Sequence, residues 1–363
     1  MAKSQGPITT TTEKSILGPT LLIAAALVIL IILRMGSAVA GPILLFIFLA
    51  ILIVPIFNGL KHKGLSSSLA LLIMLGGIIV IIVGLNVLLL GSFAKLVGQL
   101  GEYSAGFQNH TNELAAKLEN VQIPAETVET IRKQLFTLLG QIAKGVVSGA
   151  INMIAGSAIA IIALSFIMLE SESFERRLKQ GLGDDSDLLH RMKLFQSSLF
   201  GYVVARIKLN LMTGIGVLIM LILFGVDYAL LWGVLAFILS FIPYIGLAVA
   251  AIPPILLGIA ESGITTGVIL GLGYLIINQV IEQIVEPKVV GEEMALSPTL
   301  TLFSVIFWTW ILGPIGAMLA GPLAALMILV FGSFDETRWI AILFSSEDSP
   351  LVTGTQSGDQ AND

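Results

Sequence analysis

The chain has no cysteine, only three histidines and few charges. Without cysteine there are no disulfides, no thiolate chemistry and no cysteine-based metal sites, and either redox compartment fits. His62, His110 and His190 stand far apart with no metal-ligand spacing, so they read as solvated loop or interface residues. No metal and no cofactor is expected. No Gly-rich loop runs into Lys-Ser or Lys-Thr, which excludes a phosphate cradle within the chain. Gly271-Leu-Gly273 sits in an apolar run and reads as close helix packing. The net charge is −5 and the basic residues are scattered through loops, so no nucleic-acid partner is indicated. No nucleophile–base constellation can be assembled beside the polar segments, and an enzyme is not expected.

What the chain has in excess is apolar length. Of 363 residues, 56% are hydrophobic and 12% charged, about half the charge of a soluble protein, and the mean hydropathy is +0.97. Apolar runs at about 16–33, 38–57, 68–94, 146–169, 209–226 and 264–285 each reach or approach the ~20 residues needed to cross the hydrocarbon. These predict an all-α polytopic membrane protein of about 6 full spans plus two Pro/Gly-broken helical hairpins, 8 or more membrane segments, with two amphipathic helical inserts.

Residues 1–15 are polar and read as a disordered tail. Lys14, the run from Ile16 to Leu33 and Ser37-Ala-Val-Ala-Gly41 imitate a secretory signal, but the run is long and Arg34 interrupts it, so an uncleaved first span is expected. Residues 16–96 hold spans 1–3 as a scaffold. In 97–145, Val128, Ile131, Leu135, Leu138 and Ile142 recur at helical spacing, and Pro124 separates them from a piece around Leu114 and Leu118. At least two amphipathic helices outside the hydrocarbon are expected there. Span 4 occupies 146–169. A second insert, 170–208, places Leu188, Met192, Phe195, Leu199 and Val203 on one face after Asp184-Asp185-Ser186. Residues 333–363 form an acidic tail. Basic residues concentrate at Lys61, Lys63, Arg176, Arg177, Lys179, Arg191, Lys193, Arg206 and Lys208, which puts those loops and both termini in the cytoplasm and 97–145 outside.

One apolar pattern is written twice. Phe241-Ile-Pro-Tyr-Ile-Gly246 is followed by Ala250, Pro253 and Pro254; Gly313-Pro-Ile-Gly316 is followed by Ala320 and Pro322. Proline removes a backbone donor, so each copy predicts a helix broken within the membrane. The segments 228–262 and 297–332 are too long for one span and short for two; re-entrant hairpins and paired crossings both fit. As hairpins entering from opposite faces around 264–285 they would frame a midplane site in a transport core at 209–332. Pro243, Gly246, Pro253, Pro287, Gly291, Pro298, Gly313, Pro314, Gly316 and Pro322 are the candidate tips and hinges. Between the copies, Asn278, Glu282 and Glu286 stand at i, i+4 and i+8 with Gln279 and Gln283 beside them, a polar face in an apolar span and the candidate solute or ion pathway. Glu282 could carry a proton or Na⁺; alternatively Glu282 to Lys288 pair locally at the interface. Tyr244, Trp308 and Trp310 could line the path, or the tryptophans could form an interfacial belt. Asn86, Asn152 and Asn210 are expected to hydrogen-bond between helices.

Phe241-Ile-Pro-Tyr-Ile-Gly246, Val285-Glu-Pro-Lys-Val-Val-Gly291, Leu296-Ser-Pro298 and Phe307-Trp-Thr-Trp-Ile-Leu-Gly-Pro-Ile-Gly316 together resemble the autoinducer-2 exporter family, the PerM-like permeases, over roughly 16–335. Thr309 and Glu292 differ from the residues usual there. The resemblance implies a bacterial inner-membrane secondary transporter in contact with membrane lipid. It further implies a homo-oligomer, with a pentamer as the expected size, linked to export of the quorum-sensing molecule autoinducer-2 or a similar small polar organic solute. In some members it implies exchange of Na⁺ or Li⁺ for H⁺. A membrane scaffold that transports nothing, using the two inserts as partner surfaces, is the reading from another class.

Overall fold

The computed structural model describes residues 28–117, 125–183, 186–290 and 297–332, with 337, 339, 341 and 342. Expectations for residues 1–27, Leu118, Pro124, Asp184, Asp185, Gly291, Glu292, Leu296 and most of the acidic tail lie outside these residues, as do those for the side chains of Leu114, Leu188 and Pro298.

Every regular element among the described residues is helical. Helix α1 (28–35) ends in a turn at Gly36, followed by α2 (Ser37–His62), α3 (Ser67–Lys117), α4 (Ala125–Leu182) and α5 (Asp187–Leu223). Next come α6 (Ala229–Leu239), α7 (Gly246–Ser262) and α8 (Ile264–Gln279), which runs through a π-helical stretch, Val280–Val285, into α9 (Glu286–Val290). Helices α10 (Pro298–Leu312) and α11 (Pro314–Gly332) follow. Seven helical stretches among the described residues are long and apolar enough to cross a membrane, with shorter apolar helices besides. The chain is a multi-pass, all-α membrane protein.

Both expected inserts are helical, and their helices are continuous with the neighbouring spans. Residues 97–117 continue α3 and residues 125–145 open α4; the stretch 170–208 is the end of α4 and the start of α5. Helices α3 and α4 have 51 and 58 residues, about 77 and 87 Å at 1.5 Å per residue, against ~30 Å of hydrocarbon. Neither contains proline, so a change from apolar to polar surface occurs without a break in the ladder. The two run antiparallel, with Phe107 edge-on to Phe136 at 5.8 Å and Arg132 donating to Ser104 Oγ at 2.5 Å. Lower down, Phe57 of α2, Ala70 of α3 and Leu164 and Met168 of α4 form a small buried cluster, next to which Lys61 pairs with Glu172.

The largest core joins α3 through α8: Phe93, Leu96, Leu139, Ala143, Val217, Leu221, Trp232, Leu257 and Leu270 are all buried in it. Lipid tails are as apolar as leucine, so these helices associate through close packing rather than through hydrophobic expulsion from water. The crossing of α5 and α6 shows this: a Cβ on Gly214 would lie 2.7 Å from the Gly233 carbonyl oxygen. The pair α10–α11 packs elsewhere. Ile315 lies against Gly41 of α2, and Ala325 is buried with Leu199 of α5 beside Phe48 and Tyr202.

Both repeated segments are helical hairpins. In the first, Asp227 at the start of α6 donates its backbone N–H to Glu261 at the end of α7, 3.3 Å away. In the second, the chain reverses at Gly313, and Ser304 Oγ donates to the Ala320 carbonyl at 2.7 Å. The shared Gly has one role in both copies. A Cβ on Gly246 would meet the Leu239 carbonyl, and one on Gly316 would meet the Trp308 carbonyl, so each returning helix lies directly on the end of the outgoing one. Ala250 and Ala320, four residues on, are buried in the same seams.

Gly316→Ala should therefore destabilise the protein by about 1–3 kcal/mol, because helix backbone rather than a movable side chain is displaced. Gly84→Ala, where an added Cβ meets nothing within 4 Å, should be neutral or slightly stabilising. Thermal unfolding of the purified protein in detergent checks the contrast.

Candidate functional site

Helix α5 carries Tyr202, Arg206 and Asn210 at successive i+4 positions, with Thr213 a turn further on, so it presents a polar stripe on one face. Opposite it runs the predicted stripe of Asn278, Glu282 and Glu286, from the end of α8 through the π-helical stretch into α9. The first hairpin's break, 240–245, enters between them. These elements enclose a cavity of about 350 Å³, lined among others by Arg206, Asn210, Ser240, Tyr244, Glu282 and Thr301.

Inside a membrane the break must satisfy its own backbone groups. It does so with tight turns. The N–H of Phe241 reaches the Ile238 carbonyl, that of Ile242 the Leu239 carbonyl at 2.8 Å, that of Ile245 the Pro243 carbonyl at 2.8 Å, and that of Gly246 the Ile242 carbonyl at 3.0 Å. Pro243 has no N–H to place. Tyr244 takes the left-handed conformation, φ 65°, which is strained for a residue with a side chain, and it does so at the cavity wall.

Arg206 is the cationic residue of the cavity lining. Its Nη2 lies 2.8 Å from Glu286 Oε1 and its Nη1 donates to Oε2 at 3.3 Å, a two-pronged pair that joins α5 to α9. Its Nε donates to the Tyr202 hydroxyl at 3.3 Å, and the guanidinium stands 5.5 Å over the Tyr202 ring. Glu286 is thus paired across to another helix rather than locally. Glu282 differs: it accepts from Asn278 Nδ2 at 3.0 Å and forms no ion pair with any described residue. Around it the helix widens to π geometry, a distortion common at functional sites. A wider turn rotates less per residue, which lets Gln283 face the cavity beside Glu282.

Of the residues predicted from sequence, Asn278, Glu282, Gln283, Glu286, Pro243 and Tyr244 come together here. Gln279 is exposed and outside the lining. Gly246 starts α7, Pro253 is buried within it, and Pro287 lies in α9. The second copy does not join the first. Gly313, Pro314, Gly316 and Pro322 belong to the α10–α11 hairpin beside α2, and Pro298 begins it; that hairpin lends the cavity Thr301, near its base, and not its tip. Trp310 lies under the Arg34 guanidinium at 4.4 Å, and its carbonyl accepts from Arg34 Nη1. Trp308 packs edge-on to Phe307 at 5.2 Å. Neither tryptophan lines the cavity.

Tyr202, Arg206, Thr213, Ser240 and Thr301 were not anticipated as site residues, and Asn210 was expected only to bond between helices. The signal available was the i+4 spacing of 202, 206 and 210. No group of three potential metal ligands occurs among the described residues. The cavity offers hydroxyls, amides and one carboxylate without a cationic partner, a surface suited to a small polar molecule.

Removing one partner of the Arg206–Glu286 pair leaves a charge half out of water. The side chains are 22% and 26% exposed, so Arg206→Met or Glu286→Leu alone should cost about 1–3 kcal/mol, below the 3–5 of a fully buried pair. The double variant should recover more than half of the summed loss, read by a double-mutant cycle on unfolding.

The model of the AI-2E family transporter matches residues 21–334. A Haemophilus influenzae protein named "Putative transport protein" is 26% identical over 90% of this chain and 96% of its own length. The Escherichia coli K12 protein named AI-2 transport protein TqsA is 26% identical over 90% of this chain and 94% of its own. YrrI of Bacillus subtilis, also named as a transport protein, is 22% identical over 82% and 87%. With the family pattern covering the spans, both hairpins and the polar helix between them, the chain belongs to the AI-2E transporter family.

Proposed function

We propose that the protein is a secondary transporter of the bacterial inner membrane that exports a small polar organic solute, of which autoinducer-2 is the type, by alternating access at the cavity between α5, α8 and the first hairpin's break. The observation that carries this reading is the convergence of two polar helix stripes on a broken helix with a strained residue, Tyr244, at the wall. Membership of the family and the name of the Escherichia coli relative supply the solute. Both termini are assigned to the cytoplasm and the arms of α3 and α4 to the outer side, on the distribution of Lys and Arg.

In this orientation the first hairpin hangs from the outer face. Arg206 lies 17 residues down α5 from Leu223, about 26 Å, so the ion pair sits at the cytoplasmic end of the cavity. Opening the pair would admit solute from the cytoplasm. Movement of α10–α11 against α2 and the α3–α8 core would then expose the cavity outward.

Cation/proton antiport is a second reading, favoured by one observation: Glu282 faces the cavity with an amide as its partner and no cation. Everted vesicles separate the two. Autoinducer-2 uptake, lowered at least about tenfold by Glu282→Gln through loss of a charge-assisted hydrogen bond, is the expected result. Dissipation of ΔpH by Na⁺ or Li⁺ that Glu282→Gln abolishes, with no solute uptake, would establish antiport instead.

A further inference from the structure

Most hydroxyls in the cavity are already engaged by their own helix. Thr213 Oγ1 donates to the Leu209 carbonyl at 3.0 Å, and Thr301 Oγ1 to the Ser297 carbonyl at 3.2 Å. Asn278 is held by Glu282, and Arg206 by Glu286 and Tyr202. Two groups stand apart. The Asn210 side chain is buried, 3% exposed, yet its Nδ2 has no hydrogen-bond partner among the described residues. Ser240, another residue of the cavity lining, has a buried Oγ with none either. Leaving a buried donor unpaired is costly, so two in one cavity amount to a cost that an arriving molecule would relieve.

Their chemistry defines that molecule. An amide N–H₂ needs an oxygen acceptor, and a hydroxyl can give or take a bond. The cavity's cation is occupied by Glu286, whereas the Glu282 carboxylate is not matched by a cation, so a solute anion would meet repulsion without compensation.

We propose that Asn210 and Ser240 are the specificity-determining pair of the solute site. Together they hold an uncharged hydroxyl or carbonyl oxygen of a hydroxylated solute, while Glu282 accepts a bond from another solute hydroxyl and turns anions away. This rests on the cavity being the transport site, but its test is one of binding. Equilibrium binding of radiolabelled erythritol to the purified full-length protein should be saturable, displaced by unlabelled erythritol and not by threonate, its carboxylate analogue. Asn210→Leu and Ser240→Ala should each weaken it about tenfold, the value of one lost hydrogen bond. Glu282→Gln should let threonate compete. Because Asn210→Leu removes an unpaired polar group, its unfolding temperature should hold or rise.

Absence of saturable binding, equal displacement by threonate in the wild type, or wild-type affinity in either variant would overturn the proposal. So would a fall of several degrees in the unfolding temperature of Asn210→Leu, which would make Asn210 a structural bond. Binding that behaves as expected, in vesicles that carry no solute, would leave the pair in place and remove the transport reading instead.

Discussion

A helix that stops inside lipid must find partners for its freed backbone groups within the protein. Most of the site follows from that constraint. The break at 240–245 meets it with short-range turns that bring Ser240, Pro243 and Tyr244 into a small volume, and such a break is tolerable only when other protein encloses it. Helices α5 and α8 supply the enclosure, and they can be polar there because the break has already removed lipid from those faces. The Arg206–Glu286 pair then closes one end. Glycines set the tolerance: Gly246 lets the returning helix rest on the outgoing one, and Gly214 and Gly233 bring α5 against α6.

The polar helix was legible because carboxylates and amides at i, i+4 and i+8 stand out against an apolar background. Arg206 was not, for a physical reason. Counting Lys and Arg near span ends treats each as a loop charge, and nothing local to residue 206 points to a partner 80 positions away. The repeated Pro–Gly motif foretold two broken segments, and each folds as a pair of helices packed on one another. What it could not foretell is where each tip lands. Gly246 and Gly316 perform the same local task, but one tip is received by α5 and α8 and the other by α2 and Arg34, and tertiary neighbours decide that. The inserts show a third limit. Amphipathic spacing was readable over 125–145, but polarity can change along a helix without ending it, so the continuity of α3 and α4 with their spans was invisible until the ladder was traced.

Packing divides the chain along a seam that the order of its segments does not follow. Helices α3 to α8 share one core, while α10–α11 sits with α2 and the early turns of α5. Helix α5 belongs to both groups: Leu199 is buried on one side of the seam, Val217 and Leu221 on the other. The cavity lies along α5 between these contacts, with Thr301 contributed from the second group.

Helix α4 has a mechanical consequence. It is a single rod of 58 residues, clamped near one end by the Glu172–Lys61 pair and the Phe57 cluster and packed near the other against α3, which itself grips the first hairpin through Gly106 against the Ala260 carbonyl and Tyr103 to Asp227 at 2.7 Å. A rod about 87 Å long turns a 10° tilt at one end into about 15 Å of travel at the other. The contact of α2 with α4 and the grip of α3 on the first hairpin thus lie at opposite ends of unbroken ladders, so a tilt at one would be carried to the other.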